Sequence, residues 1–559
     1  MKNKIITNTI IFIFILSFVN IFKSIFGSGN VLIGVTVIIT ALTLMERDLT
    51  IAPFKNFFKI LGINLFSVVF STLAFKNPWS GIIFNFTALF VIGYFFSDNL
   101  KKSMIVPFGL QYFFMLFSPV EGRELVNRFI GLFAGSIFVM AIQFIINRDK
   151  VFKIGNKLID KISDITLEKI RLIQENKNFE KENMQILESI NYLKRVIYDK
   201  RVDDYYITSD GIIITDIIWS LERINIILDE ISLDKNKEYY KGLVDYVYNE
   251  VKNIRDRRFE LKDIENVKEY LGIKDINGDY VNEIVDLISI LYKEVESIGI
   301  LSDKEKKSIR KEYDIPYHFH NIVIHKRNFN INSEKVRYAI RLSIIGAFTA
   351  FIARFFNLSE GRWMCYTIFA LIQPYEEISK EKIKDRVIAT IIGGVIVLIA
   401  FVIVRNQIAR SAIILLAGYL DPFSKNYRQK TVCVTVSAVA SAAILGGTFK
   451  LVITRIIFVI IGALLTIIAN KYIFPYKIKD IKKYLFDVYN SLINQMKEDI
   501  KEEHKDYSIR NLYLITGFIE EKMKIAIDIN NDKKEINKFL EKNRLKVNTM
   551  YKGFVNIKK

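Results

Sequence analysis

The feature that most limits what this chain can fold into is a membrane pattern that occurs twice. Residues 1–146 carry about six apolar stretches and lead into a long charged segment. Residues 336–475 carry about six more and lead into a shorter one. The expected spans lie near 5–25, 31–45, 57–75, 79–96, 104–118 and 125–146, then near 336–356, 361–374, 386–404, 408–420, 431–447 and 453–473. A helix needs roughly 20 apolar residues to cross the hydrocarbon core, so 361–374 and 408–420 are short for that task. The halves also share a register. Arg128 and Arg455 each stand seven residues before a glycine, Gly135 and Gly462, and Lys59 and Arg386 each open an apolar run. Positions 455 and 128, like 386 and 59, are 327 apart. Internal repeats in a polytopic protein are characteristic of transporters, where a path forms between two similar bundles.

The predicted fold is all-α and polytopic: two repeated modules of about six transmembrane helices, each followed by a helical cytoplasmic segment. The boundaries read as 1–146 for the first module, 147–335 for a helical domain, 336–475 for the second module and 476–559 for a C-terminal helical segment. In 147–335, Ile154, Leu158, Ile162, Ile165, Ile170 and Ile173 recur mostly at three- and four-residue steps, the period of a one-sided helix. Ile322 to Ile331 alternates more like a strand.

A formal charge of +19 raises the question of nucleic acid. The basic residues instead flank the spans, at Lys101-Lys102, Arg148 to Lys153, Lys380 to Arg386, Lys425 to Lys430 and Lys471 to Lys483. There they hold loops on the cytoplasmic side and meet anionic lipid, so the expected partners are the bilayer and a small ligand, with no nucleic acid. An even number of spans per half puts both termini and both soluble segments in the cytoplasm of a bacterial plasma membrane. A homo-oligomer is left open. Cys365 and Cys433 both fall in expected spans, which excludes a disulfide framework. A G-x-x-x-x-G-K-[ST] loop is missing, so ATP hydrolysis is not expected, and neither a catalytic set nor a cofactor is read from the residues.

The second half reads Arg337-Tyr338-Ala339-Ile340-Arg341, then Trp363, then Gln373-Pro374, then Arg386 followed by Ala389, Thr390 and Gly393. This resembles the fusaric acid resistance and aromatic acid exporter family of bacterial membrane proteins. The likeness is carried best by 336–475, and the doubled layout extends it over the chain. It implies export of aromatic carboxylic acids and related compounds. Ala389 stands where the family signature has its first glycine, and Tyr338 where a histidine is usual. In the first half the signature has decayed, with Thr36 at the offset of Trp363.

The residues expected along a substrate path are Arg386, Thr390, Arg341, Arg128, Arg455 and Tyr366. A planar fork of donors suits a carboxylate, and arginines in or beside spans are costly unless paired, solvated or snorkelled. The alternative is that these arginines sit at the two interfaces. Ala389, Gly393 and Gly394 form a small-residue seam that lets helices approach closely in lipid. Trp363 reads as an interfacial anchor, with stacking of an aromatic ligand beside Tyr366 and Phe369 the alternative. Glu46, Arg47 and Asp48, and Glu376-Glu377, read as inner-loop charges, with proton carriage the alternative. His318, His320 and His325 cluster without a cysteine near, and no metal site is assigned to them. The competing function is a membrane-anchored scaffold that acts through 147–335.

Overall fold

The computed structural model describes the chain apart from residues 1, 46–47, 51, 97–104, 148–149, 204, 235–236, 259–278, 307, 310–314, 316–332, 445–446, 503–505, 530–532 and 559. The histidine cluster, Glu46-Arg47, Lys101-Lys102 and the strand-like stretch up to Ile331 therefore lie outside the described residues. Among the described residues the regular elements are helical, with one isolated bridge between Val202 and Tyr206. The chain divides into two units. One holds Met1–Glu46, Pro53–Ile145 and Asn328–Asp480; the other holds Arg47–Ala52, Ile146–Arg327 and Ile481–Lys559.

The first unit begins with α1 (Lys2–Phe26), α2 (Val31–Leu44), α3 (Pro53–Lys76), α4 (Pro78–Phe96), α5 (Ile105–Phe117) and α6 (Gly122–Asn147). The second unit follows with α7 (Lys150–Gln174), α8 (Glu180–Asp199), α9 (Ser209–Leu233), α10 (Lys241–Arg255) and α11 (Asp279–Ile300). The first unit resumes with α12 (Glu334–Phe355), α13 (Arg362–Leu371), α14 (Glu376–Ile403), α15 (Gln407–Leu420), α16 (Tyr427–Ala443) and α17 (Thr448–Tyr472). The second is completed by α18 (Ile478–Asp499), α19 (Asp506–Ile529) and α20 (Lys533–Lys558).

All twelve expected spans coincide with helices. Among the described residues seven helices are long and apolar enough to cross a membrane: α1, α3, α4, α6, α12, α14 and α17. The other five run from 10 residues in α13 to 17 in α16. At about 1.5 Å per residue they reach roughly 15–26 Å, short of a hydrocarbon core of about 30 Å. Local sequence explains several ends. Pro53 and Pro78 open α3 and α4, where a missing N–H costs nothing. Pro374 lies just beyond α13 and biases Gln373 away from helix.

Small residues set the closest packing in this unit. α4 and α12 share its most extensive contact. A β-carbon on Gly93 would sit 3.1 Å from Ala339 Cα, and one on Gly346 would sit 2.4 Å from Leu89 Cδ1. The seam residues of α14 behave alike. A β-carbon on Gly393 would fall 2.8 Å from Thr435 Cβ on α16, one on Gly394 would fall 2.8 Å from Val452 Cγ1 on α17, and Ala389 is fully buried. Association in lipid rests on such close van der Waals contact.

The second unit is a helical domain built around α9, which is buried on nearly every side. Its buried charges are paired. Arg510 Nη2 donates to Asp216 Oδ2 at 2.7 Å, Lys194 Nζ to Glu222 Oε2 at 3.0 Å, and Arg544 Nη2 to Glu520 Oε2 at 2.8 Å. Tyr513 and Tyr551 donate to Glu222 and Asp216. Burial alone would push the Glu520 carboxyl up, but Arg544 and Lys194 outweigh it and hold it below its ordinary value. Burial likewise works against the Arg510 cation, and Asp216 more than offsets this. Residues of α18–α20 thus complete a core begun by α7–α11.

Candidate functional site

A cavity of about 760 Å³ opens inside the membrane unit. Its walls come mainly from the short helices α5, α13 and α16, with α14 and α17 contributing cations. On α16, Tyr427, Lys430, Thr431, Val434, Ala438, Ser441 and Ala442 line it at three- and four-residue steps, so the cavity follows one face of that helix from end to end. On α13, Arg362, Trp363, Tyr366, Phe369 and Ala370 form the facing stripe. Tyr366 stands nearly perpendicular to Phe114 (centroids 5.5 Å, 86°) and to Trp363 (5.5 Å, 84°), an edge-to-face set that makes the wall aromatic and stiff.

The ionisable lining is of one sign. Arg362, Lys382, Arg386, Lys430 and Arg455 face the cavity, and no Asp or Glu is among the described residues that line it. Arg455 is the most exceptional of the five. It is 2% exposed, and none of its three guanidinium nitrogens has a hydrogen-bond partner among the described residues. Its guanidinium lies 3.6 Å from the centroid of the Trp363 ring. Stacking covers the flat face and leaves the donors at the rim, where a planar oxyanion can take two of them at once. Trp363 is itself held, because its Nε1 donates to Glu360 Oε2 at 2.5 Å. The same carboxylate takes Arg362, whose Nη2 is 3.1 Å from Glu360 Oε1. Arg386 is 9% exposed and its Nε has no partner. Lys382, one turn earlier on α14, donates to the neutral Gln373 Oε1 at 2.9 Å.

The structure therefore brings Arg386, Arg455 and Tyr366 to one cavity, and places the other expected path residues elsewhere. Arg341 is fully buried and bound to the end of α17. It donates to Asn470 Oδ1 at 3.0 Å and to the carbonyls of Ile473, Phe474 and Gln373 at 2.9–3.3 Å. Those carbonyls include ones that α17 leaves unpaired at its C-terminus, so the cation serves as a cap. Thr390 is buried, and its hydroxyl donates to Arg386 O on its own helix at 2.8 Å. Arg128 is 2% exposed and donates to Asn30 Oδ1 at 2.8 Å, Ser118 O at 2.8 Å and Gly29 O at 3.1 Å. Glu376 pairs with Lys380 at 2.9 Å. Trp363, for which the sequence weighs anchoring against ligand stacking, lines the cavity, as do Lys382 and Lys430 from segments that the sequence reads as inner-loop charges; Glu360 carries no reading from sequence. The signal available for Trp363 was its seat in the better-preserved half.

The corresponding region of the first half is filled. Asn64 Nδ2 donates to Ser136 Oγ at 3.0 Å, Gln111 Nε2 donates to Asn64 Oδ1 at 3.0 Å, and Thr36 Oγ1 reaches Gln111 Oε1 at 3.5 Å. All four side chains are buried.

Residues 347–469, which hold α13 to α16 and most of α17, match the family described as fusaric acid resistance protein-like. The chain is 26% identical over 151 residues to an uncharacterised protein of Haemophilus influenzae, covering 26% of this chain and 21% of that one. It is 25% identical over 151 residues to the inner membrane protein YccS of Escherichia coli, covering 27% and 21%. It is 26% identical over 149 residues to the uncharacterised protein ORF2 of Neisseria gonorrhoeae, covering 26% and 36%. The matches thus span about a fifth to a third of these relatives' own lengths. No solved structure matches. The chain is a multi-pass membrane protein whose residues 347–469 form a fusaric acid resistance protein-like domain.

Proposed function

We propose that this protein is a transporter that exports small organic carboxylates, aromatic ones foremost, across a bacterial plasma membrane without hydrolysing ATP itself. The observation that carries the reading is Arg455: a buried guanidinium with no partner, stacked on an indole and facing a cavity without carboxylates. An unpaired cation inside a membrane is costly, and an anionic ligand that offsets it gains that cost back as affinity. The aromatic wall favours a ring attached to the anion. The plasma membrane is the location carried in the printed name of the Escherichia coli relative.

Two further observations support a pair of related modules around the path. α2 and α13 end at positions 44 and 371, and α3 and α14 end at 76 and 403, each pair 327 apart like the arginines. The packing also exchanges between halves, since α4 packs on α12 while α15 touches α1, where Phe12 and Tyr419 meet edge to face at 5.5 Å. Basic segments beside α14, α16 and α17 favour both termini on the cytoplasmic side.

The test is benzoate flux in vesicles holding the purified full-length protein, with Arg455→Gln beside the wild type at matched incorporation. Wild-type flux that Arg455→Gln abolishes supports the reading. Vesicles no leakier to benzoate than protein-free ones overturn it.

A further inference from the structure

The charges around the cavity are not balanced by one anion, and this narrows the ligand class. The inference rests on the carboxylate-transport reading above. Of the five cations, Arg362 is offset by Glu360 at 3.1 Å. Lys430 is exposed at the first turn of α16 and does not need a buried partner. The acid next to Arg386 in sequence, Asp385, is taken by Arg428 at 2.7 Å. Among the described residues three cations then face the cavity without a hydrogen-bonded carboxylate: Arg455, Arg386 and Lys382. They stand on two helices, with Arg386 close enough to Arg455 for the two charges to act on each other. Arg455 is on α17 with Trp363 beneath it. Arg386 and Lys382 are four residues apart on one face of α14. A monocarboxylate on Arg455 leaves the buried Arg386 and the half-buried Lys382 without a counter-charge, and a buried charge without one is expensive.

We propose that the cavity is built for an aromatic dianion: a rigid ring with one carboxylate on Arg455 and a second acidic group on Arg386 and Lys382. The ring packs against Tyr366 and Phe369, which line the stripe between the two cation groups. A flexible aliphatic dianion satisfies both cation groups but forfeits the aromatic wall and must lose chain entropy on binding. A ring with a single carboxylate keeps the wall and forfeits one cation group. The two-point ligand is therefore the one that uses all the features present.

The test is titration calorimetry on the full-length protein in lipid nanodiscs with benzoate, terephthalate and succinate. Terephthalate is expected to bind at least tenfold tighter than either of the others. Arg386→Gln should bring terephthalate to the affinity of benzoate while moving benzoate less than about threefold, and Arg455→Gln should weaken both. Lys382→Gln, at a more exposed position, should reduce the terephthalate preference by about threefold and stands in if Arg386→Gln does not fold. Equal binding of benzoate and terephthalate overturns the dianion but leaves a carboxylate transporter standing, as does an equal loss of both ligands in Arg386→Gln. If none of the three ligands binds the wild type, the dianion falls together with the reading it rests on.

Discussion

Arg128 and Arg455 stand 327 positions apart, and both are 2% exposed, yet their surroundings are opposite. Arg128 has its donors on Asn30 and two backbone carbonyls, and the same six helices hold the buried chain of Thr36, Gln111, Asn64 and Ser136. Arg455 has an aromatic face and nothing on its rim. At the same offset Trp363 stands for Thr36 and Ala438 for Gln111, and both line the cavity. Lys59 is exposed where Arg386 is buried. The first six helices hold amides and hydroxyls that satisfy each other; the cavity among the later ones holds a cation without them. A satisfied buried arginine acts as a strut, whereas an unsatisfied one acts as a receptor, and the same residue in the same register does either.

The comparison is broken most decisively at Arg455. Arg455→Met should cost about 2–5 kcal/mol of anion affinity by calorimetry, while the melting temperature holds or rises because an unpaired buried charge has gone. A clear fall in melting temperature would make Arg455 a second strut. Arg128→Met should do the reverse. It orphans Asn30 and two carbonyls, so a loss of about 2–4 kcal/mol of stability is expected, with affinity in the surviving folded protein unchanged. A smaller pair of effects comes from exchanging the closing residues. Gln111→Ala should cost roughly 1–3 kcal/mol in thermal unfolding, since Asn64 loses its donor. Ala438→Gln should leave unfolding nearly unchanged and weaken anion binding about tenfold, or ~1.4 kcal/mol, by filling the cavity. The smallest effect is expected at the stacking face. Trp363→Thr installs the residue of the first half and should reduce affinity by about 0.5–2 kcal/mol, and Trp363→Phe by less, since a smaller ring still faces the guanidinium.

Hydropathy made the twelve helices legible, because lipid demands apolar runs whatever the tertiary fold. It marked 361–374 and 408–420 as short, but the exact ends rest on single residues such as Pro374 and the N-caps Asn406 and Asn426, which accept from Ile408 N and Gln429 N. The shared arginine register was also legible, but the fates of the arginines were not. Arg341 and Arg128 are settled by carbonyls that only folding brings near, and a sequence does not display carbonyl positions. Gln111 and Asn64 were the available hint, as two amides in apolar helices must answer each other. The joining of α18–α20 to α7–α11 was invisible for a different reason. Its pairs, such as Arg510 with Asp216, lie 294 residues apart.

That separation has a consequence in time. Asp216 and Glu222 leave the ribosome long before Arg510, Tyr513, Arg544 and Tyr551 exist, and the whole second set of membrane helices is made in between. At 5–20 residues per second the wait for Arg510 is about 15–60 s. During it Asp216 lacks Arg510 and Tyr551, Glu222 has only Lys194, and the core cannot close. Completion of the second unit therefore reports that translation has passed the membrane domain, and a chain that stalls within α12–α17 is left with an open, polar-lined core for a protease to find.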